Sequence, residues 1–175
     1  QMFQYGIGVD KNLDSAIIFY ENAAAQEHLG AEYQLGILHL NHAQDKAEYQ
    51  QAIKWLTDAA FKGNRSAQYA LSRELADSRK GPDGNLMNPV DKSQAMAMLY
   101  LSAANDFGPA EYDLAQHMAS QFDAGWSVEV KQQKLALIRQ LYEGAARNGV
   151  SQAMVPLAFY NAMDEDKKRQ HEAFE

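Results

Sequence analysis

The sequence predicts an all-α protein, an α/α superhelical solenoid of stacked antiparallel helix pairs, and three observations carry that prediction. The first is periodicity within a segment. In AIKWLTDAAFKGNRSA, residues 52–67, Ala52, Trp55, Leu56, Ala59 and Ala60 recur at steps of three and four, one face of an amphipathic helix. Gly63 then stops the helix by tolerating a left-handed backbone, and Ala67 opens a second helical pattern. The second observation is that the unit repeats. Small-residue pairs stand at Ala23-Ala24, Ala59-Ala60, Ser102-Ala103 and Ala145-Ala146, 36 residues apart at the first step and 43 at the next two. The third is that flanking columns keep register over all four copies. Ala16, Ala52, Ala95 and Ile138 precede the pairs, with Phe19, Trp55, Met98 and Leu141 three residues after them. Ala31, Ala67, Ala110 and Ala153 follow the pairs, with Leu35, Leu71, Leu114 and Leu157 four residues further on. A period of this size means helical hairpins, each unable to bury its apolar face alone. The large residues of the Phe19 column are expected in the seams between pairs.

The elements follow in order. Residues 1–5 read as the tail of an incomplete first helix, so the chain is expected to be a piece of a longer protein. Gly6 and Gly8 make the next turn, and Asn12 or Asp14 caps a helix to about Gln26. Leu29 to about His42 is the next helix, 41–48 a polar connector, and Glu48 to Lys62 the helix after it. Ser66 to Ala76 follows. Ser78 to Asp91 holds Gly81, Pro82, Gly84 and Pro89, which forbid a continuous helix. Asp91 or Ser93 caps a helix through Asn105. Pro109 fits the first turn of a helix to about Gln121, where its missing N–H costs nothing. A second enlarged connector spans 122–126. Ser127 caps a long helix to Arg147, with Gly149 beyond its end. Ser151 caps a helix over 152–162, and Asp164 caps a last polar segment to Glu175. The repeat units are 1–28, 29–64, 65–107, 108–149 and a partial 150–175, one solenoid segment over 1–175.

These residues resemble the Sel-like repeats, a branch of the tetratricopeptide superfamily. Tyr5-Gly6-Ile7-Gly8-Val9 with Asp14 and Ala16 is similar to that family's G-x-G-V turn, Leu35-Gly36 to its L-G pair, and Ala59-Ala60 with Gly63 to its A-A-x-x-G. The resemblance covers nearly the whole chain and is closest in the first two copies. In later copies Asp106 replaces the turn glycine, and Ser72, Ala115 and Ala158 replace the glycine of L-G, which puts the loop geometry in question. The resemblance implies a non-catalytic adaptor that holds a protein or peptide partner. It also implies bacterial settings such as envelope assembly, signalling and host-cell entry, and a build like that of long periplasmic proteins of the enhanced-entry type. A periplasmic or secreted location and a cell-wall-modifying enzyme as partner follow from the same resemblance, with a cytoplasmic location as the alternative.

In such solenoids the first helix of each pair lines the concave face. By that resemblance Tyr33, Tyr69 and Tyr112, which share one column, and Ile37, Arg73 and Gln116, four residues later, form the partner-binding row. Val155 and Phe159 take those columns in the last copy. Aromatic and arginine side chains are the usual interface anchors. The competing role is packing between neighbouring helices. The competing functions are a spacer within a long array and a regulatory domain of a cell-wall enzyme system.

Composition narrows the rest. The net charge of −7 argues against nucleic acid or an anionic membrane as the main partner, because phosphate binding needs a basic patch. The chain has no cysteine, hence no disulfide framework and no thiolate chemistry. No run approaches the roughly 20 apolar residues of a membrane span. His39 and His42 stand three apart with Asp45 near, but no third ligand follows at a metal-site spacing. Gly81-Pro82-Asp83-Gly84-Asn85 lacks the lysine of a phosphate loop and the downstream acid of a calcium loop, so it reads as a turn. Asn64-Arg65-Ser66 spells a glycosylation sequon within a tight turn. Residues 164–169 read as a solvated helix end. No catalytic set, cofactor site or metal site is expected.

Overall fold

The computed structural model describes residues 5, 12–123 and 125–172, with side chains as far as Met163. Eight helices are described: α1 Leu13–Ala24, α2 Leu29–His42, α3 Lys46–Phe61, α4 Arg65–Ala76, α5 Lys92–Ala104, α6 Gly108–Ser120, α7 Val128–Arg147 and α8 Met154–Glu172. A single 3₁₀ turn, Ser151–Ala153, leads into α8. Among the described residues the β component is one isolated bridge between Lys80 and Leu86. The expected turn at Gly6 and Gly8 lies outside the described residues.

Helix starts are set by short polar side chains that accept from otherwise orphaned backbone N–H groups. Asn12, not Asp14, caps α1, its Oδ1 accepting from Ser15 N at 2.9 Å. Asp45 starts α3 earlier than the sequence suggested, accepting from Glu48 N, so the connector before it shrinks to 43–45. Asn64 caps α4 and Asp91 accepts from Gln94 N at the start of α5. Ser127 caps α7. His28 caps α2 through Nδ1, a residue type that sequence rules rarely nominate.

Helix ends explain the repeating pairs. In each copy the first residue of the pair accepts a backbone bond from the residue five positions on: His28 N to Ala23 O, Asn64 N to Ala59 O, Phe107 N to Ser102 O, Val150 N to Ala145 O. The second residue accepts from the residue three positions on: Glu27, Gly63, Asp106 and Gly149 to Ala24, Ala60, Ala103 and Ala146. This is the Schellman closure, and it requires a left-handed residue at the inner position. That residue has φ +60° at Glu27, +91° at Gly63, +56° at Asp106 and +86° at Gly149. The turn geometry is therefore kept where glycine is not, which answers the question raised by Asp106.

The chain divides into two compact units, Gln1–Leu99 and Tyr100–Glu175. In the first, α2 packs on α1 and on α3, and α4 on α3. Ala16, Tyr20, Ala24, Ala31, Leu35 and Leu38 form one buried cluster, with Trp55 laid against it. A second gathers Leu40, Tyr49, Leu56, Leu71, Met87 and Met98 with the repeat alanines. In the second unit α7 packs on α6 and on α8. Ala110, Leu114, Ala115, Ile138, Tyr142, Ala145 and Ala153 are buried there.

Three expectations are corrected. Phe19 is 59% exposed rather than seated in a seam; its neighbour Tyr20 is buried instead, as are Leu56 and Tyr142 one place after Trp55 and Leu141. Steps of three and four from one alanine land on stripes about 100° apart at 3.6 residues per turn; the core takes the step of four in the first, second and fourth copies, and in the third it takes the expected step of three, with Met98 buried. Ser151 makes no cap; it sits inside the 3₁₀ turn with its Oγ on Gln152 Oε1 at 3.5 Å. Asp164 starts nothing, because α8 runs through it. The four-residue spacings Asp164 to Lys168 and Glu165 to Arg169 favour an unbroken helix.

Candidate functional site

The six residues of the expected row divide between the two units. In the first, Tyr33 on α2 is partly buried, as is Ile37, and both pack on the second core cluster. Burial, and then Tyr5, push the Tyr33 phenol above its ordinary range. Tyr69 on α4 is also partly buried and Arg73 is exposed. The Arg73 guanidinium lies 5.9 Å from the Tyr69 ring centroid, and its Nη1 donates to the Tyr69 hydroxyl at 3.3 Å.

In the second unit Tyr112 on α6 is partly buried and Gln116 exposed. Gln116 Nε2 donates to the Tyr112 hydroxyl at 2.9 Å. Two copies thus share one device: a partly buried tyrosine ring, and a donor four residues on that bonds to its hydroxyl. In the second unit the ring also belongs to an aromatic cluster. Tyr112 meets Tyr142 edge-on at 5.9 Å, and Tyr142 stacks on Tyr160 at 5.8 Å. Burial first, then Tyr160 and Tyr112, push the Tyr142 phenol up. Val155 and Phe159, which take the two columns in the last copy, are exposed.

A further column escaped sequence reasoning. Directly after the repeat alanines stand Glu32, Gln68 and Glu111, all buried. Each bonds to the end of a second helix. Glu32 Oε1 accepts from Lys62 Nζ at 2.5 Å, and Gln68 Nε2 donates to Ala60 O at 3.0 Å. Glu111 Oε2 accepts from Asn148 Nδ2 at 2.8 Å. The bond to Glu32 is the main reason the Lys62 amine sits above its usual range. A Cβ at Gly144 would meet Glu111 Oε1 at 2.1 Å, so that glycine is the space the carboxylate occupies. Recurrence of an acid or amide at one column was the available signal, but hydropathy alone places such residues outside.

The remaining candidates are structural. Asn64 of the sequon accepts from Ala67 N at 3.0 Å and donates to Leu29 O at 3.1 Å, so its amide ties two helix starts together. Asp83 Oδ1 accepts from Asn85 N at 3.0 Å, an Asx turn, and that bond, followed by the one from the Asn85 amide, holds its carboxyl below its usual range. The stretch after α4 is anchored rather than loose. Met87 is in the core, and Asn88 accepts from Arg79 N and donates to Glu74 O and Asp77 O. Arg79 pairs with Glu74, lies over the Tyr49 ring and donates to Leu40 O at the end of α2. His39 is partly buried and His42 exposed, and among the described residues no three acidic, histidine or cysteine side chains gather as a metal site would need. No described helix is long and apolar enough to cross a membrane.

No protein-family model and no curated protein matches the chain. Among solved structures it is similar to a Sel1 repeat protein from Oxalobacter formigenes, at 26% identity and a TM-score of 0.67, over 87% of this chain. It is also similar to a protective antigen of uropathogenic Escherichia coli strains that displays the same fold, at 21% identity and a TM-score of 0.65, over 89% of this chain. The chain spans 57% of the first protein's length and 30% of the second's. Its helix pairs, its Schellman-closed alanine pairs and these two likenesses agree: the chain is an all-α helical-repeat solenoid with the Sel1-like repeat fold.

Proposed function

We propose that this chain is a non-catalytic scaffold that holds a partner protein or peptide through the tyrosine row on its first helices. The observation that carries the proposal is the Tyr69–Arg73 pair. The ring is partly buried and the guanidinium beside it is exposed, so an apolar face, a hydroxyl and a cation stand together. Such rigid amphipathic groups give contact area at low entropic cost. Tyr33 and Ile37 extend the surface in the first unit, and Tyr112 with Gln116 repeats the device in the second. The Tyr112–Tyr142–Tyr160 contacts favour a second role there, so Tyr112 contributes more to packing than Tyr69 does.

The test is retention of a partner from the source cell's envelope fraction by the immobilised chain, repeated with Tyr69→Ala and Arg73→Ala. Loss of one retained protein in both variants, with folding intact, supports the scaffold. Identical retention by wild type and both variants refutes this surface and favours a spacer. The location proposed, periplasmic or secreted in a bacterium, rests on the family resemblance, as does a cell-wall-modifying enzyme as partner. Fractionation of source cells with an antibody to the chain checks the location.

A further inference from the structure

The seams between successive second helices are filled unequally. Trp55 on α3 lies against the cluster that includes Ala24 and Leu35. The residue in its column on α7 is Leu141, and Ala103 and Leu114 take the places of Ala24 and Leu35. Beside Leu141, among these columns, there is an open cavity of about 420 Å³. Ala103, Leu114, Met118, Leu137 and Leu141 line it, with the charged Asp106, Glu111 and Arg147. All of these residues belong to the second unit. The volume falls within the range of roughly 300–1,000 Å³ typical of ligand sites.

We infer that this cavity receives an aromatic side chain presented by a partner polypeptide, which does in trans what Trp55 does within the chain. Three features select an aromatic occupant. The equivalent seam already holds an indole against the same kind of floor. The Met118 thioether favours contact with a ring. Arg147, exposed and lining the cavity, offers a cation to the face of a ring, where Phe61 stands in the equivalent column of the second copy. Leu137 is 41% exposed, so the rim is open to a side chain arriving from solvent. This site is independent of the tyrosine row, and neither stands or falls with the other.

The experiment titrates the whole chain with acetyl-Ala-Trp-Ala-amide and, as control, acetyl-Ala-Ala-Ala-amide, following methyl resonances of Leu114, Met118, Leu137 and Leu141. The expected result is saturable shifts with the tryptophan peptide, of millimolar affinity or better and at least tenfold tighter than the control. Leu141→Trp fills the cavity from within and should lower that affinity at least tenfold. Leu137→Arg, at an already exposed position, crowds the mouth without touching the core and should do the same; it decides the matter if Leu141→Trp does not fold. Absence of saturable shifts in the wild type, or unchanged affinity in the folded variants, overturns the inference.

Discussion

The left-handed column after each alanine pair offers a test in which the same position gives opposite signs in two copies. Glu27 and Gly63 occupy equivalent places, both with positive φ. A left-handed conformation disfavours an L side chain by about 1–2 kcal/mol, while glycine in a fixed conformation gives up about 0.5–1 kcal/mol of chain entropy. Glu27→Gly should therefore stabilise the protein. The Glu27 carboxylate also favours the charged form of Lys62, an attraction that solvent screens at such exposure. The net gain expected is about 0.5 kcal/mol. At Gly63 nothing lies within 4 Å of where a Cβ would be, so Gly63→Ala introduces no clash and isolates the backbone term. It should destabilise by about 1 kcal/mol on the same balance. Urea unfolding with unchanged m-values measures both. A neutral or stabilising Gly63→Ala, or a Glu27→Gly that destabilises by more than about 0.5 kcal/mol, would refute the Schellman account of the pairs.

Leu56 is fully buried, so Leu56→Ala should cost about 3–4 kcal/mol, against about 2–3 for the partly buried Trp55→Ala; the reverse order in denaturant melts would contradict the assignment of faces. A Cβ at Gly36 would lie 2.7 Å from Leu56 Cγ and Cδ2, and Leu56 has nowhere to move. Gly36→Ala should therefore lose about 1–2 kcal/mol, since overpacking outweighs the gain of about 1 kcal/mol in helix propensity. Burial, and then the Glu74 carboxylate, push the Tyr49 phenol up strongly. A raised folded-state value means this contribution is whole below the unfolded tyrosine value of about 10 and is lost as pH climbs above it. Stability should fall above pH 10 in wild type and fall less steeply in Tyr49→Phe, by denaturant melts across that range; equal slopes would remove Tyr49 from the account.

Much of this architecture is legible because it rests on local chemistry. The columns Ala16 to Ile138 and Ala31 to Ala153 are buried as their spacing predicts, since both lie where helices approach. The bounds of α2 follow from periodicity, and those of α7 from periodicity and the Ser127 cap. What escaped depends on partners distant in sequence. Glu32 and Glu111 are buried because Lys62 and Asn148, 30 and 37 residues away, meet them. Met87 and Asn88 anchor a glycine- and proline-rich stretch that pattern alone reads as loose. Phe19 and Tyr20 are both apolar neighbours on one amphipathic face, and only packing chooses between them. The cavity beside Leu141 is visible only once Trp55 is seen filling the equivalent seam.

The scaffold reading is tested most directly by measuring melting and partner binding on one sample of Tyr69→Ala. Tyr69 is partly buried and its hydroxyl is held by the exposed Arg73, so truncation should weaken binding by about 1–3 kcal/mol, the range of interface anchors. The accompanying loss of stability should be smaller than that of Leu56→Ala. A large drop in stability with unchanged affinity in the fraction still folded would contradict the account and make the tyrosine row a packing column.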